Sequence, residues 1–526
     1  MAAPISGTVA ELTRAPGEQV TEGTVLLVLE AMKMQHPVPA TADGTVADVL
    51  VAVGDVVAAG RLVALLSPGA VETGPDSAGP EVDLDRPRPD LAELQQRRAF
   101  TADAARPEAV ARRHAAGRRT ARENIDDLCD EGSFVEYGAL AIAAQRTRRP
   151  VEDLVQRTPA DGLIAGVGRV GGNEFGESSR VVAMSYDYLV LAGTQGQRGH
   201  AKKDRLFELA ERSRLPVVLF AEGGGLGEFS PDEVGPAEVQ RANGVIDVAA
   251  ADDADAVALA RKYLSYFQGD LADWEAPDQR ALRHAIPQNR LRVYGMRQVV
   301  HGLADVDSVL ELRGDFGHGA ITALARVEGR PLGVIASNPA HLGGAIDSPA
   351  ADKIARFLQL CDAYGLPVLS LCDTPGFMVG PEVEKTAAVR HVSRIFVNAA
   401  NLTVPFGTIV LRKGYGLGAQ AMAAGGFGRP RFIVAWPTGE FGPMGLEGAV
   451  RLGYRKELDS ITDPEARKQR FAEMVAAEYE RGKATNVASA FEIDDVIDPA
   501  ESRRWITALL TAERGHGGTR SCVDTW

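Results

Sequence analysis

Hydrophobic and polar positions change rhythm twice along the chain. In residues 1–67, short Val/Leu runs alternate with glycine-containing turns, the period of narrow half-buried strands. This pattern repeats at an offset of 37 residues: Gly7-Thr8-Val9 returns as Gly44-Thr45-Val46, Gly17, Val20 and Gly23 as Gly54, Val57 and Gly60, and residues 25–29 as 62–66. Two matched halves predict a small all-β unit, a flattened barrel or sandwich. Residues 68–90 then carry Pro68, Pro75, Pro80, Pro87 and Pro89 among Gly, Asp and Glu. With no apolar face to bury, they predict an extended, flexible linker with a random-coil span of roughly 25–30 Å. From residue 91 onward helical and strand periods alternate, which predicts an α/β domain.

That α/β region also repeats. The hairpin expected over residues 163–170 and 180–186 matches one over 321–327 and 331–337. The helix face of Lys202, Leu206, Leu209 and Ala210 matches that of Lys353, Phe357, Leu360 and Cys361. Each helix runs through Leu-Pro (Leu215-Pro216, Leu366-Pro367) into an expected buried apolar strand. The strands end in Glu222-Gly223-Gly224-Gly225 and in Asp373-Thr374-Pro375-Gly376-Phe377. Residues 91–284 and 285–526 therefore read as two copies of one unit. The copies are unequal: Leu215 aligns with Leu366 at an offset of 151, but Asp247-Val248 aligns with Asp495-Val496 at an offset of 248, leaving the first half shorter by the difference, 97 residues. The stretch without a counterpart runs from Val404 to about Val487.

Charge and composition narrow the function. A formal charge of −14 argues against a nucleic-acid or anionic-membrane surface. The basic run Arg112, Arg113, Arg118, Arg119 and Arg122 reads as a solvated helix face. No basic-then-apolar leader follows Met1 and no apolar run reaches the ~18 residues of a spanning helix, so a cytoplasmic protein is expected. Cys129, Cys361, Cys372 and Cys522 lack CxxC spacing, and the nine histidines are scattered. Reduced thiols, two of them in the core, and no metal site are expected.

Midway between the half-repeats of the first unit stands Glu30-Ala31-Met32-Lys33-Met34, a lysine at a hairpin tip between two thioethers. On this motif and on the repeat around it, residues 2–67 resemble the biotinyl domain of biotin-dependent carboxylases. The resemblance implies biotin attached covalently to Lys33, flanked by Met32 and Met34, and a biotin protein ligase to attach it. A group carrier on a long lever supplies chemistry that no side chain has.

The segment Thr120-Ala121-Arg122-Glu123-Asn124-Ile125, then Leu128 and 130–136, resembles the opening of carboxyltransferase subunits of acyl-CoA carboxylases of the acetyl/propionyl-CoA type. The two repeated halves resemble that family's crotonase-type units. The implied fold is thus an all-β biotinyl domain, a proline-rich linker and an α/β crotonase-type carboxyltransferase whose first half is shortened. In this subtype a Glu-Gly-Gly-Gly run borders both edges of the stretch missing here, so the single run at Glu222 reads as a deletion junction between direct repeats.

The implied reaction moves a carboxyl group from carboxybiotin to the α carbon of an acyl-CoA, the substrate. It needs stabilised enolate oxygens rather than a metal or a strong base. Backbone N–H pairs in glycine-rich turns at helix N-termini provide this, each donor being worth ~2.7–4 kcal/mol. By resemblance, the biotin-side amides fall on Leu417 and Gly418 in residues 412–422, and the thioester-side turn on Gly223 and Gly224. Pro375, Gly376 and Phe377 border the substrate. Gln420 stands where the family usually has an acyl-selecting aspartate, which leaves the acyl chain open. Lys202 and Lys203 are discounted as CoA-phosphate contacts. The resemblance further implies a separate ATP-dependent biotin carboxylase subunit and a homo-oligomer. Two alternatives stand beside it: a biotin carrier and assembly subunit with an incomplete transferase, and a subunit of an acyl-CoA decarboxylase or transcarboxylase.

Overall fold

The computed structural model describes residues 1–71, 83, 85–223, 233–511 and 523. The chain divides into two compact units, Met1–Ala92 and Glu93–Trp526. In the first, strands β1 (Gly7–Leu12), β2 (Gln19–Val20), β3 (Val25–Ala31), β4 (Met34–Pro39), β5 (Gly44–Val49), β6 (Val56–Val57) and β7 (Ala64–Pro68) form two sheets, ordered β4-β3-β1-β6 and β2-β5-β7. The internal repeat explains this topology. Each half lends its short second strand to the other half's sheet, β6 pairing with β1 and β2 with β5. The repeated glycines are turn residues: Gly17 and Gly54 sit at φ 93° and 95°, where a β-carbon is disfavoured. Val9, Leu27, Leu29, Val57 and Val63 close the core between the sheets. Residues 72–82 and 84 of the expected linker lie outside the described residues. Pro89–Ala99 forms a helix that buries none of its residues.

In the large unit, Thr120 and Glu123 form a reciprocal capping box that starts the helix Ala121–Leu128. The first sheet contains β8 (Val135–Glu136), β9 (Leu163–Arg169), β10 (Arg180–Tyr186) and β11 (Val217–Phe220), in the order β11-β10-β9-β8. The helix Gln197–Ser213 packs Leu206 and Ala210 on one face of it. The helices Ala121–Leu128 and Asp253–Gln268 cover the other. The second sheet holds β12 (Leu310–Leu312), β13 (Ala320–Val327), β14 (Arg330–Ser337), β15 (Val368–Thr374), β16 (Phe406–Tyr415), β17 (Phe432–Ala435), β18 (Glu440–Gly442) and β19 (Asp495–Val496). In both sheets an antiparallel hairpin is followed by a helix and then a parallel strand, β11 beside β10 and β15 beside β14.

The two copies then differ. Every residue of β15 is buried, because β16 pairs with it on its outer side. The expectation of a buried strand fails for β11: it is an edge strand with Val217 exposed and its other residues half-buried. No counterpart of β16 borders it among the described residues.

The basic run is not one solvated face either. Arg112 and Arg118 are exposed, but Arg113 is half-buried and pairs with Glu222, Arg119 pairs with Asp127 at 2.8 Å and Arg122 reaches Glu136 at 3.1 Å. Cys129, Cys361 and Cys372 are free and buried, and Cys522 lies outside the described residues. No described helix is long and apolar enough to cross a membrane.

Candidate functional site

Ala31 pairs with Met34 across the β3–β4 hairpin, which leaves Met32 and Lys33 as a two-residue loop. Their φ values are 51° and 66°. Positive φ at both central residues is what a type I′ turn requires, and that turn matches the twist of the flanking strands. Asn-Gly normally occupies such a turn, so Met and Lys hold it under strain, a pattern that recurs at functional positions. Lys33 is exposed, and its neighbours Met32 and Met34 are 98% and 64% exposed. Among the described residues no hydrogen bond or ion pair engages the Lys33 amine, so a primary amine is offered at the extremity of the unit. That arrangement fits amide attachment of a carboxylic acid cofactor.

In the large unit, β15 and β16 end side by side. Their register slips between the pairs Cys372–Val410 and Thr374–Gly414, where β16 carries more residues than β15. The excess places Arg412 and Lys413 around Asp373, whose side chain is wholly buried. Arg412 Nη2 lies 3.1 Å and Lys413 Nζ 3.0 Å from the carboxylate, the Lys413 backbone N–H donates at 3.1 Å, and the Tyr294 hydroxyl donates at 2.8 Å. Burial and the adjacent Asp373 carboxylate push the Tyr294 hydroxyl well above its usual range, so it stays a donor.

Beyond β16 the chain turns directly into the helix Gly416–Ala421. Gly416 sits at φ 56°, and a β-carbon on it would lie 2.7 Å from the Pro443 carbonyl oxygen. The N-cap Tyr415 provides no side-chain cap. The first N–H groups of a helix have no partner within it, so those of Leu417 and Gly418 are available as donors. Gly418 touches the turn after β15: a β-carbon on it would lie 2.7 Å from the Gly376 Cα. Gly376 itself sits at φ 125°, its carbonyl accepting from Ile346 N–H at 3.0 Å, and Phe377 stacks edge-on against Phe396. Leu417, Gly418, Pro375, Gly376 and Phe377 are thus brought together. Gln420, one turn along, borders an open cavity of about 700 Å³ whose lining is mixed, with Phe427, Phe441 and Leu446 beside Glu478, Arg481 and Glu492. At its border Tyr415 donates to Glu440 at 2.8 Å, and burial raises the Glu440 carboxyl above its usual range.

Of the expected thioester-side pair, Gly223 is the member among the described residues. A β-carbon on Gly223 would meet nothing within 4 Å, and Gly224 lies outside the described residues. Lys202 is buried and donates to the carbonyls of Ala160 and Leu163, and Lys203 reaches Gln195 at 2.9 Å. Sequence reasoning missed the Asp373 cluster and the Leu342–Gly344 turn beside it, although the aligned Leu191–Gly193 turn was a usable signal.

A sequence model of the carboxyl transferase domain matches residues 112–234 and 230–516, and one of biotin-requiring enzymes matches residues 1–66. The chain belongs to the carboxyl transferase domain family. Among the relatives of this carboxyl transferase, the methylmalonyl-CoA carboxyltransferase 12S subunit of Propionibacterium freudenreichii is 29% identical, over 76% of this chain and 90% of that one. A propionyl-CoA carboxylase carboxyltransferase subunit of Haloferax mediterranei is 27% identical, over 80% and 95%. Among solved structures, a single-chain, multi-domain long-chain acyl-CoA carboxylase is 50% identical with a TM-score of 0.78. The match covers 97% of this chain, which spans only 57% of that longer protein. The transcarboxylase 12S structure, described as a hexamer assembly, has a TM-score of 0.69 at 26% identity, over 81% of this chain and 95% of that one.

Proposed function

We propose that this chain is the biotin carrier and carboxyltransferase component of an acyl-CoA carboxylase, moving a carboxyl group to the α carbon of an acyl-CoA. The observation that carries the reading is the packing of the Gly418 helix start against the Gly376 turn beside the Gln420 cavity. Lys33 is the attachment residue for biotin, which supplies the carrier chemistry once bound. The amides of Leu417 and Gly418 donate to an oxygen that gains negative charge, fixed in place and needing no reorganisation as the charge develops. Pro375, Gly376 and Phe377 form the wall opposite those donors. With no carboxylate at position 420 and an open cavity of about 700 Å³ partly lined by Phe427, Phe441 and Leu446, the site has room for an acyl chain longer than propionyl. The 50% identity to the long-chain enzyme supports the same choice.

The loading step belongs to a separate ATP-dependent biotin carboxylase subunit, and attachment of biotin to a biotin protein ligase. The hexamer described for the 12S relative supports a homo-oligomer. Two observations support the shortened first half: the family match breaks into two segments that meet at residues 230–234, and β11 is left at an edge. They also favour a second reading, a biotin carrier and assembly subunit whose thioester side, Gly223 and Gly224, is incomplete.

One experiment separates the two. The purified, biotinylated chain is mixed with malonyl-CoA, methylmalonyl-CoA or a long-chain carboxyacyl-CoA, and carboxyl transfer to biotin is measured. Transfer supports the enzyme. No transfer from any of them, while a biotin carboxylase still loads Lys33, supports the carrier.

A further inference from the structure

The offset of 151 residues that relates the two halves also relates their three-dimensional contacts. Gly193 corresponds to Gly344, and a β-carbon on either would collide with the carbonyl oxygen of a strand-end acidic residue, Glu222 at 2.5 Å or Asp373 at 2.3 Å. Lys202 corresponds to Lys353, and both amines are buried on backbone carbonyls. Glu222 and Asp373 are themselves at this offset, each directly before the turn assigned to the chemistry. Their counter-charges differ in origin. Asp373 is held by Arg412 and Lys413 from β16, a strand with no counterpart beside β11 among the described residues. Glu222 is held by Arg113, which approaches from the helix Pro107–Ala115; its two terminal nitrogens bind the two carboxylate oxygens, Nη1 at 3.1 Å, and its side chain is 9% exposed.

We propose that Glu222 and Asp373 are matched positioning residues, each fixing the glycine turn beside it, and that Arg113 replaces in the first half the cations that β16 supplies in the second. The physical reasons differ in degree. The wholly buried Asp373 carboxylate needs compensating charge, whereas the Glu222 side chain is 37% exposed and the bidentate guanidinium chiefly fixes its orientation. In the second half the compensated carboxylate ties the end of β15 to the excess residues of β16, and so sets where Gly376 meets Gly418. In the first half the Arg113 fork is the contact that holds the Glu222-Gly223 backbone against the Gly193 turn without a flanking strand. Arg113 thereby makes the shortened half a folded element rather than a frayed end.

The test is amide hydrogen exchange on the full chain, which requires neither biotin nor turnover. Arg113→Ala is expected to speed exchange at residues 191–194 and 221–223 by on the order of tenfold, leaving 342–346 and 376–378 unchanged. Asp373→Asn is expected to do the converse. The double exchange Arg113→Glu with Glu222→Arg is expected to restore protection, which a loss of packing alone would not allow. Equal loosening of both halves by either single variant, no change in either, or no recovery in the double exchange overturns the proposal. Its catalytic side rests on the proposed function. Asp373→Asn should lower kcat for carboxyl transfer with KM for acyl-CoA held, and Arg113→Ala should raise KM. A wild-type chain inactive with every acyl-CoA refutes that function, while the exchange data still decide the positioning roles.

Discussion

Gly418→Ala isolates the contact on which the transferase reading depends. The added methyl would lie 2.7 Å from the Gly376 Cα and 2.8 Å from its carbonyl carbon, both backbone atoms, so no flexible side chain can swing away to admit it. Overpacking of this kind costs about 1–3 kcal/mol, released here by pushing the Gly376 turn and the Gly416–Ala421 helix start apart. A displaced oxyanion donor costs roughly 10²–10³ in kcat. The expected outcome is a melting temperature lowered by a few degrees and a loss of carboxyl transfer far larger than that destabilisation explains. Leu417→Ala is the control: its side chain is 63% exposed and its amide is retained, so transfer should stay within about threefold of wild type. Transfer rates from a carboxyacyl-CoA to the biotinylated chain, read with thermal melts, decide it. Full activity in Gly418→Ala would refute the assignment of these amides.

Three further outcomes follow from other parts of the chain. Lys33→Ala should abolish capture by avidin, and biotin persisting in that variant would place the attachment elsewhere. Met32→Gly relieves one of two positive φ values and should stabilise the biotinyl unit by roughly 0.5–1 kcal/mol while slowing biotin attachment; a destabilised hairpin would show that the turn is unstrained. Burial lowers the amines of Lys202 and Lys353 to about 8. Because the folded state holds these protons less tightly than the unfolded chain, stability gains with pH from about 8 up to the ordinary lysine range near ~10.4. Lys353→Met removes one such group, so denaturant melts should show wild type gaining on the variant as pH rises through that window, and parallel curves would count against a depressed lysine.

The parts legible in the sequence are those that local pattern dictates. Gly17, Gly23, Gly54 and Gly60 mark turns that only positive φ can make, and all four have it. Hydrophobic alternation likewise marked both hairpins of the transferase halves. The Asp373 cluster was not legible, because Tyr294, Asp373 and Arg412 are far apart in sequence and meet only through the slipped register of β15 and β16. The basic run misled for a related reason. Arg113 reads as solvated on its own helix, but contacts with Glu222, the Arg119 carbonyl and the Tyr188 ring cover its side chain.

Burial of β11 failed on a different ground. A run such as Val217-Val218-Leu219-Phe220 promises a central strand, but whether a strand is central depends on its neighbours, not on its own residues. The unequal offsets of the two halves predict that the first lacks the stretch holding that neighbour, and among the described residues none borders β11. An unpaired edge exposes backbone donors and acceptors to any strand that can reach them. On the proposed positioning role, the Arg113–Glu222 pair is what holds the end of β11, where the second half has β16 beside β15. If that pair suffices, a transferase half can lose its outer strand and still keep the glycine turn in place. If it does not, the chain keeps its biotin and delivers the carboxyl group to a site completed by another protein.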